Sequence, residues 1–169
     1  QWCFNFSWEQ WTDWQKFRRI KNIFRSNNSS GKSTPHNKII VGISGSTIDS
    51  SLIRFAINLS DDNSEICLLY VIIIPREKEL DIEDHKSFQK AEKILKQLEQ
   101  EFQNTHGNIY GEIIQARHAG AAIIEIAKIN NPQFLIIGAN KCKNTTSKIG
   151  LNASYILNNQ ACSTIIYKE

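Results

Sequence analysis

Hydrophobic positions along the chain fall alternately into short continuous runs and helically spaced sets, and this alternation predicts the fold. Lys38-Ile39-Ile40-Val41-Gly42-Ile43 is a compact β-branched run of the kind that a parallel sheet buries on both faces. Over residues 49–59, Leu52, Ile53, Ala56, Ile57 and Leu59 return at helical spacing. A second apolar run, 66–74, is stopped by Pro75. Phe88, Ala91, Ile94, Leu95, Leu98 and Phe102 then mark an amphipathic helix with charged residues on its outer face. A third strand, 109–115, precedes a short helix at 121–129 that Asn131-Pro132 ends. A fourth strand, 134–137, closes in Gly138; after a polar loop, a helix at 151–159 leads into a last strand, 164–167. Strand and helix alternate throughout, which implies right-handed βαβ units: an α/β fold with one parallel sheet and helices on both faces. Ligands of such sheets sit outside the carboxyl ends of the strands, where the strand order reverses. The loops after the first and fourth of these strands, 44–48 and 138–150, are therefore where a site is expected.

The opening of the chain has a different character. Residues 1–25 hold all four tryptophans and four of the eight phenylalanines. Trp8, Trp11, Trp14 and Phe17 recur every three residues, which lays a broad aromatic face along a helix. Lys16, Arg18, Arg19, Lys21 and Arg25 come with no acidic residue among them. Rings beside cations suit a membrane interface, where the rings settle at headgroup depth and the cations meet anionic lipid. No apolar run reaches the roughly 18–20 residues that span a bilayer. Residues 1–25 are thus expected to lie on a membrane or to follow a membrane span; the plainer alternative packs the tryptophans on the domain or on a partner. Residues 26–37 form a polar linker, and 38–169 form the domain. Gly31-Lys32-Ser33-Thr34 in that linker imitates the end of a P-loop, but Ser26 stands where the first glycine belongs and Pro35 follows at once.

Composition changes this picture little. A net charge of +3 over 169 residues gives no electrostatic footprint for nucleic acid, and no nucleic-acid partner is expected. Cys3, Cys67, Cys142 and Cys162 have neither paired nor metal-ligand spacing, and nothing indicates an oxidising compartment. The chain opens on Gln1 without an apolar signal region, which leads us to expect a piece of something longer.

The pieces K-I-I-V-G-I-S-G-S at 38–46, F-L-I-I-G-A at 134–139 and I-L-N-N-Q-A-C-S-T-I-I-Y at 156–167 resemble the universal stress protein domain over about 130 residues. The resemblance implies a five-stranded parallel sheet of order 3-2-1-4-5, counted from Lys38, with the site between strands one and four. Val71-Ile72-Ile73-Ile74-Pro75 followed by Leu80, with Ala116-Arg117-His118-Ala119-Gly120-Ala121-Ala122-Ile123-Ile124, is similar to the version of this domain carried as the cytosolic tail of amino-acid permease-type transporters. That likeness gives the aromatic and basic opening a place, as the juxtamembrane stretch after a last transmembrane helix.

Members that bind ATP resemble one another in a G-x-x-G-(x)9-G-[S/T] loop after strand four and an Asp just after strand one. Glycines let backbone N–H groups close on phosphates, and the Asp meets the nucleoside end. Here Gly138 keeps the first glycine, Lys141 replaces the second, Gly150 comes one residue early, Leu151 takes the hydroxyl position and Ser44 takes the Asp position. The candidate site for ATP or another adenine nucleotide is Val41, Ser44, Gly45, Ser46, Gly138, Asn140, Lys141 and Gly150. A solvated basic loop without ligand is the competing reading. His118, beside Arg117, is read as a surface histidine; Asp81, Glu83, Asp84 and His85 as the first turn of a helix; and Ser44, Ser46 and Thr47 as N-caps. No nucleophile elbow or metal motif is present, so no enzyme and no metal are expected; an enzyme acting on a nucleotide phosphate at the 138–150 loop is the third alternative. The function expected is a non-catalytic regulatory and dimerising domain with a degenerate nucleotide loop. It would pair as a homodimer through the last strand and work at the cytoplasmic side of a bacterial cell membrane. The alternative is a stand-alone ATP-binding stress protein in the cytoplasm.

Overall fold

The computed structural model describes residues 37–78, 84–139 and 149–168, and the backbone of 18–22. Its elements in chain order are β1 (Arg18–Asn22), β2 (Lys38–Ile43), α1 (Asp49–Leu59), β3 (Glu65–Ile73), α2 (His85–Phe102), β4 (Ile109–Ala116), α3 (Ala119–Asn130), β5 (Phe134–Gly138), α4 (Leu151–Asn158) and β6 (Ser163–Tyr167). The sheet runs β1-β4-β3-β2-β5-β6. Its five parallel strands, from β2 onward, stand in the expected order 3-2-1-4-5. β1 adds a sixth strand, antiparallel to β4, with Arg18 opposite Gln115, Asn22 opposite Glu112 and a register shift between Arg19 and Lys21.

The two faces of the sheet explain the residue pattern. Ile39 and Val41 of β2 point into a core closed by α1 and α2, through Leu52, Ile53, Ala56, Ala91, Leu95 and Leu98. Ile40 points to the other side, where Ala122, Ile123 and Ile124 of α3 meet Ala153 and Ile156 of α4. Alternate residues of one strand thus feed two cores, which is why β2 reads as a continuous apolar run. A Cβ on Gly111 of β4 would lie 3.0 Å from Leu95 Cδ1, so the absent side chain lets α2 settle close on the sheet.

Element ends follow local chemistry. α2 begins at His85, a turn earlier than its apolar spacing suggests, because Asp84 caps it: its carboxylate accepts the Ser87 amide at 3.4 Å and the Ser87 hydroxyl at 2.9 Å. Of the acidic stretch expected in the first turn, Asp84 is the N-cap and His85 opens the helix, while Asp81 and Glu83 lie outside the described residues. α3 ends on Asn131 in the left-handed region, φ 44°, directly before Pro132. Strand β1 is not foreshadowed by the pattern. It places Arg18, Arg19 and Lys21 of the basic cluster on a sheet edge, a position that charged residues occupy readily. The aromatic face at 8–17, Arg25 and the polar linker fall outside the described residues, apart from Asn37. Among the described residues no helix is long and apolar enough to cross a membrane.

The α3 side of the sheet holds a buried polar group beneath the edge. Glu112 is fully buried, and the Cys67 thiol donates toward its Oε2 at 3.7 Å. Nearby, Lys38 Nζ donates to Asn130 Oδ1 at 2.8 Å and stands 5.5 Å from the centre of the Tyr110 ring. Burial, with the Glu112 carboxylate second, pushes the Cys67 thiol up from 9.0 to about 12; burial likewise raises the Tyr110 hydroxyl. The folded state therefore keeps a proton that the unfolded chain releases near pH 9. Stability should fall as pH climbs from about 9 toward about 12, and Cys67→Ala should lessen that fall in urea titrations across the range. In the folded protein at pH 8 Cys67 should resist iodoacetamide, read by peptide mass mapping; rapid native labelling contradicts this account.

Candidate functional site

The strand order reverses between β2 and β5, the two strands whose following helices, α1 and α4, leave to opposite faces of the sheet. In sheets of this kind the ligand crevice lies at that point, outside the carboxyl ends of the strands, and the loop after β2 borders it. Its organising group is Asp49, the first residue of α1. The carboxylate is only 2% exposed, and three consecutive amides converge on it. Gly45 N–H donates to Oδ2 at 2.6 Å, Ser46 N–H to Oδ2 at 3.1 Å, and Ser44 N–H to both oxygens at 3.2 and 3.3 Å. The Ser44 and Ser46 hydroxyls donate to Oδ1 at 3.2 and 3.3 Å and lie 2.8 Å from each other. The serines expected as N-caps thus serve this carboxylate instead. The N-cap itself is Ile48, which has no side-chain cap, and the positive end of the helix reinforces the carboxylate at its first residue.

This convergence needs a backbone that curls around the acid. Gly45 supplies it with φ of 78°, a region that costs other residues roughly 1–2 kcal/mol. Its surroundings are also full: a Cβ would meet Ile94 Cδ1 at 2.9 Å and Tyr70 Cε2 at 4.0 Å. Tyr70 is half-buried behind the loop, and burial, followed by the nearby Asp49 charge, raises its hydroxyl above the usual tyrosine range.

The opposite wall is the end of β5. Gly138 packs against α1: a Cβ there would lie 3.2 Å from Ile48 Cγ2 and 3.4 Å from Leu52 Cδ1. The close approach of helix to strand is by itself sufficient reason for glycine here, phosphate or no phosphate. Gly150 differs. No atom lies within 4 Å of its would-be Cβ, and it serves as N-cap of α4, with its carbonyl accepting the Ser154 amide at 2.9 Å. Leu151, at the position where the resemblance places a hydroxyl, is 81% exposed. Asn140 and Lys141 fall outside the described residues. Val41 sits in the body of β2 and is fully buried in the α1/α2 core, so its side chain does not line the crevice. Of the sequence candidates, then, Ser44, Gly45 and Ser46 come together around one acid, and Gly138 stands across from them. Asp49 and Tyr70 escaped the sequence reading. The signal for Asp49 was present as two serines flanking a glycine four residues before an acid at a helix start.

Neighbouring candidates take structural roles. Arg117 donates through Nη1 to the Ile74 carbonyl at 3.1 Å and to that of Pro75, and so pins the chain leaving β3. His118 is the exposed N-cap of α3, with no side-chain cap bond. A groove of about 270 Å³ lined by Arg54, Ile57, Asn58, Glu101, Phe102 and Thr105 lies toward the carboxyl ends of α1 and α2. Those helices run back along the sheet, so the groove is at the far end from the crevice.

A parallel sheet in the order 3-2-1-4-5 with helices on both faces defines a Rossmann-like α/β class of domain. Residues 35–168 match the universal stress protein family, and the chain belongs to that family. No curated protein matches its sequence. Among solved structures it is similar to the universal stress protein UspA from Lactobacillus plantarum, at 19% identity and TM-score 0.60, covering 77% of this chain and 96% of that one. It is also similar to an Arabidopsis thaliana family member with AMP bound, at 15% identity and TM-score 0.58, covering 79% and 92%. A third is the Archaeoglobus fulgidus universal stress protein in complex with dAMP, at 13% identity and TM-score 0.59, covering 76% and 95%.

The curl at Gly45 gives a direct test of this geometry. Gly45→Ala should cost about 1–3 kcal/mol in urea denaturation, from its left-handed backbone and the contact with Ile94. An unchanged midpoint contradicts the loop conformation.

Proposed function

We propose that this chain is a non-catalytic regulatory and dimerisation module that works at the cytosolic face of a membrane, as the tail of an amino-acid permease-type transporter. The observation that carries the regulatory reading is Asp49. The Ser44, Gly45 and Ser46 amides at the mouth of β2 are spent on a carboxylate of the chain itself, so these three are not offered to a nucleotide. With Leu151 at the hydroxyl position, the domain holds an adenine nucleotide weakly or not at all, and signals through its assembly. The assembly element is β6, which ends the sheet and, among the described residues, has no strand on its outer side, so that its outer N–H and C=O groups can pair with a second copy. The membrane reading rests on the aromatic and basic residues of 1–25 and on the short likeness to transporter tails. A second reading, a stand-alone adenine-nucleotide-binding stress protein, is favoured by the AMP and dAMP complexes of relatives that share the fold.

Calorimetric titration of the chain with ATP and AMP separates the two. The first reading expects affinities weaker than about 0.1 mM, roughly −5.5 kcal/mol. Micromolar binding transfers the case to the second. For the membrane role, the chain should co-sediment with vesicles containing anionic lipid, and less so as salt screens the basic contacts. Equal recovery in the supernatant with and without vesicles defeats it.

A further inference from the structure

We propose that Asp49 is a specificity-determining residue of the crevice: its carboxylate fills the three-amide nest at the mouth of β2 and bars the phosphate or carboxylate of a ligand from that side. The proposal rests on the reading of the crevice as the ligand site, and it names which ligand chemistry that site refuses.

Successive amides curled through a left-handed glycine form a concave donor array that takes an anion, and the start of a helix strengthens it. Ser44, Gly45 and Ser46 make such an array in the loop just before the eleven-residue α1. The anion it holds belongs to the chain. A carboxylate has about four acceptor sites in all. Oδ2 takes the amides of residues 44, 45 and 46, while Oδ1 takes the two serine hydroxyls and shares the Ser44 amide. At 2% exposure Asp49 neither meets water freely nor has capacity left for a ligand donor. An incoming phosphate must therefore displace a saturated carboxylate or sit beside its charge, and both are unfavourable.

The position explains a second substitution. The resemblance assigns the nucleoside contact to the residue at 44, which here is Ser44. Its hydroxyl is turned to Asp49 and to Ser46. The acid missing from position 44 thus returns five residues later, facing inward, where it shapes the loop and cannot read a base or a sugar.

The test is an NMR titration of the 15N-labelled chain with inorganic phosphate, following the Ser44, Gly45 and Ser46 amides in wild type, Asp49→Asn and Asp49→Ser. Wild-type amides should stay still through tens of millimolar phosphate. In Asp49→Ser they should move saturably, with binding at least about tenfold tighter than any wild-type response, as expected for two or more charge-assisted bonds to freed amides. Asp49→Asn, which keeps an acceptor oxygen without the charge, should fall between. Saturable shifts in wild type overturn the proposal, and so do folded variants whose amides stay silent. Should both variants unfold, the wild-type arm decides alone: still amides sustain the proposal and moving ones end it. Failure of ATP to bind in calorimetry bears on the nucleotide part of the proposed function only, because phosphate alone reads this loop.

Discussion

β2 lies between β3 and β5, and Ile39, Ile40 and Val41 along it are sealed from solvent on both faces of the sheet. Each such side chain contributes about 1.5–3 kcal/mol when it leaves water. A strand with that requirement must have a helix layer above and another below, and the chain provides them by leaving β2 toward one face and β5 toward the other. Everything at the carboxyl end follows from this division. The crevice exists because two connections diverge there, and its walls are whatever residues close the first turn of each departing segment.

On the β2 side that turn is held by one acid whose partners are all local. Three amides and two hydroxyls within five residues satisfy Asp49, and the arrangement needs no ligand to complete it. The loop is therefore organised as folded, at the cost of the donors that would give it an external function. On the β5 side Gly138 is fixed by Ile48 and Leu52, residues of the same turn and helix, so the two walls are locked to each other through α1. Rigidity in this crevice comes from packing and from an internal anion.

Most of the fold was legible in the sequence because burial on two faces leaves continuous β-branched runs, and Lys38–Ile43 and Phe134–Gly138 carry that mark plainly. Helix ends were less legible where a side chain reset them, as Asp84 did for α2. β1 was invisible for a different reason. Arg-Arg-Ile-Lys-Asn has no strand pattern of its own, and only the open edge of β4 makes it a strand. The site was half legible. Ser44, Gly45 and Ser46 were named for the crevice, yet as contacts for a nucleotide; Asp49 was absorbed into a helix by its spacing and its inward turn depends on a φ of 78° at Gly45 that no motif announces. The side chain of Val41, also named for the site, packs in the core, since the facing of a position in the middle of a strand is set by the sheet's alternation.

The pairing of β1 with β4 has a consequence for the order of events during synthesis. Lys21 finds its register partner in Ile113, 92 positions further along the chain. At about 5–20 residues per second, the basic segment leaves the ribosome roughly 5–18 seconds before the strand it joins exists. Throughout that interval the segment has no strand to pair with. One edge of the sheet is thus closed by a segment made well before the strand it pairs with.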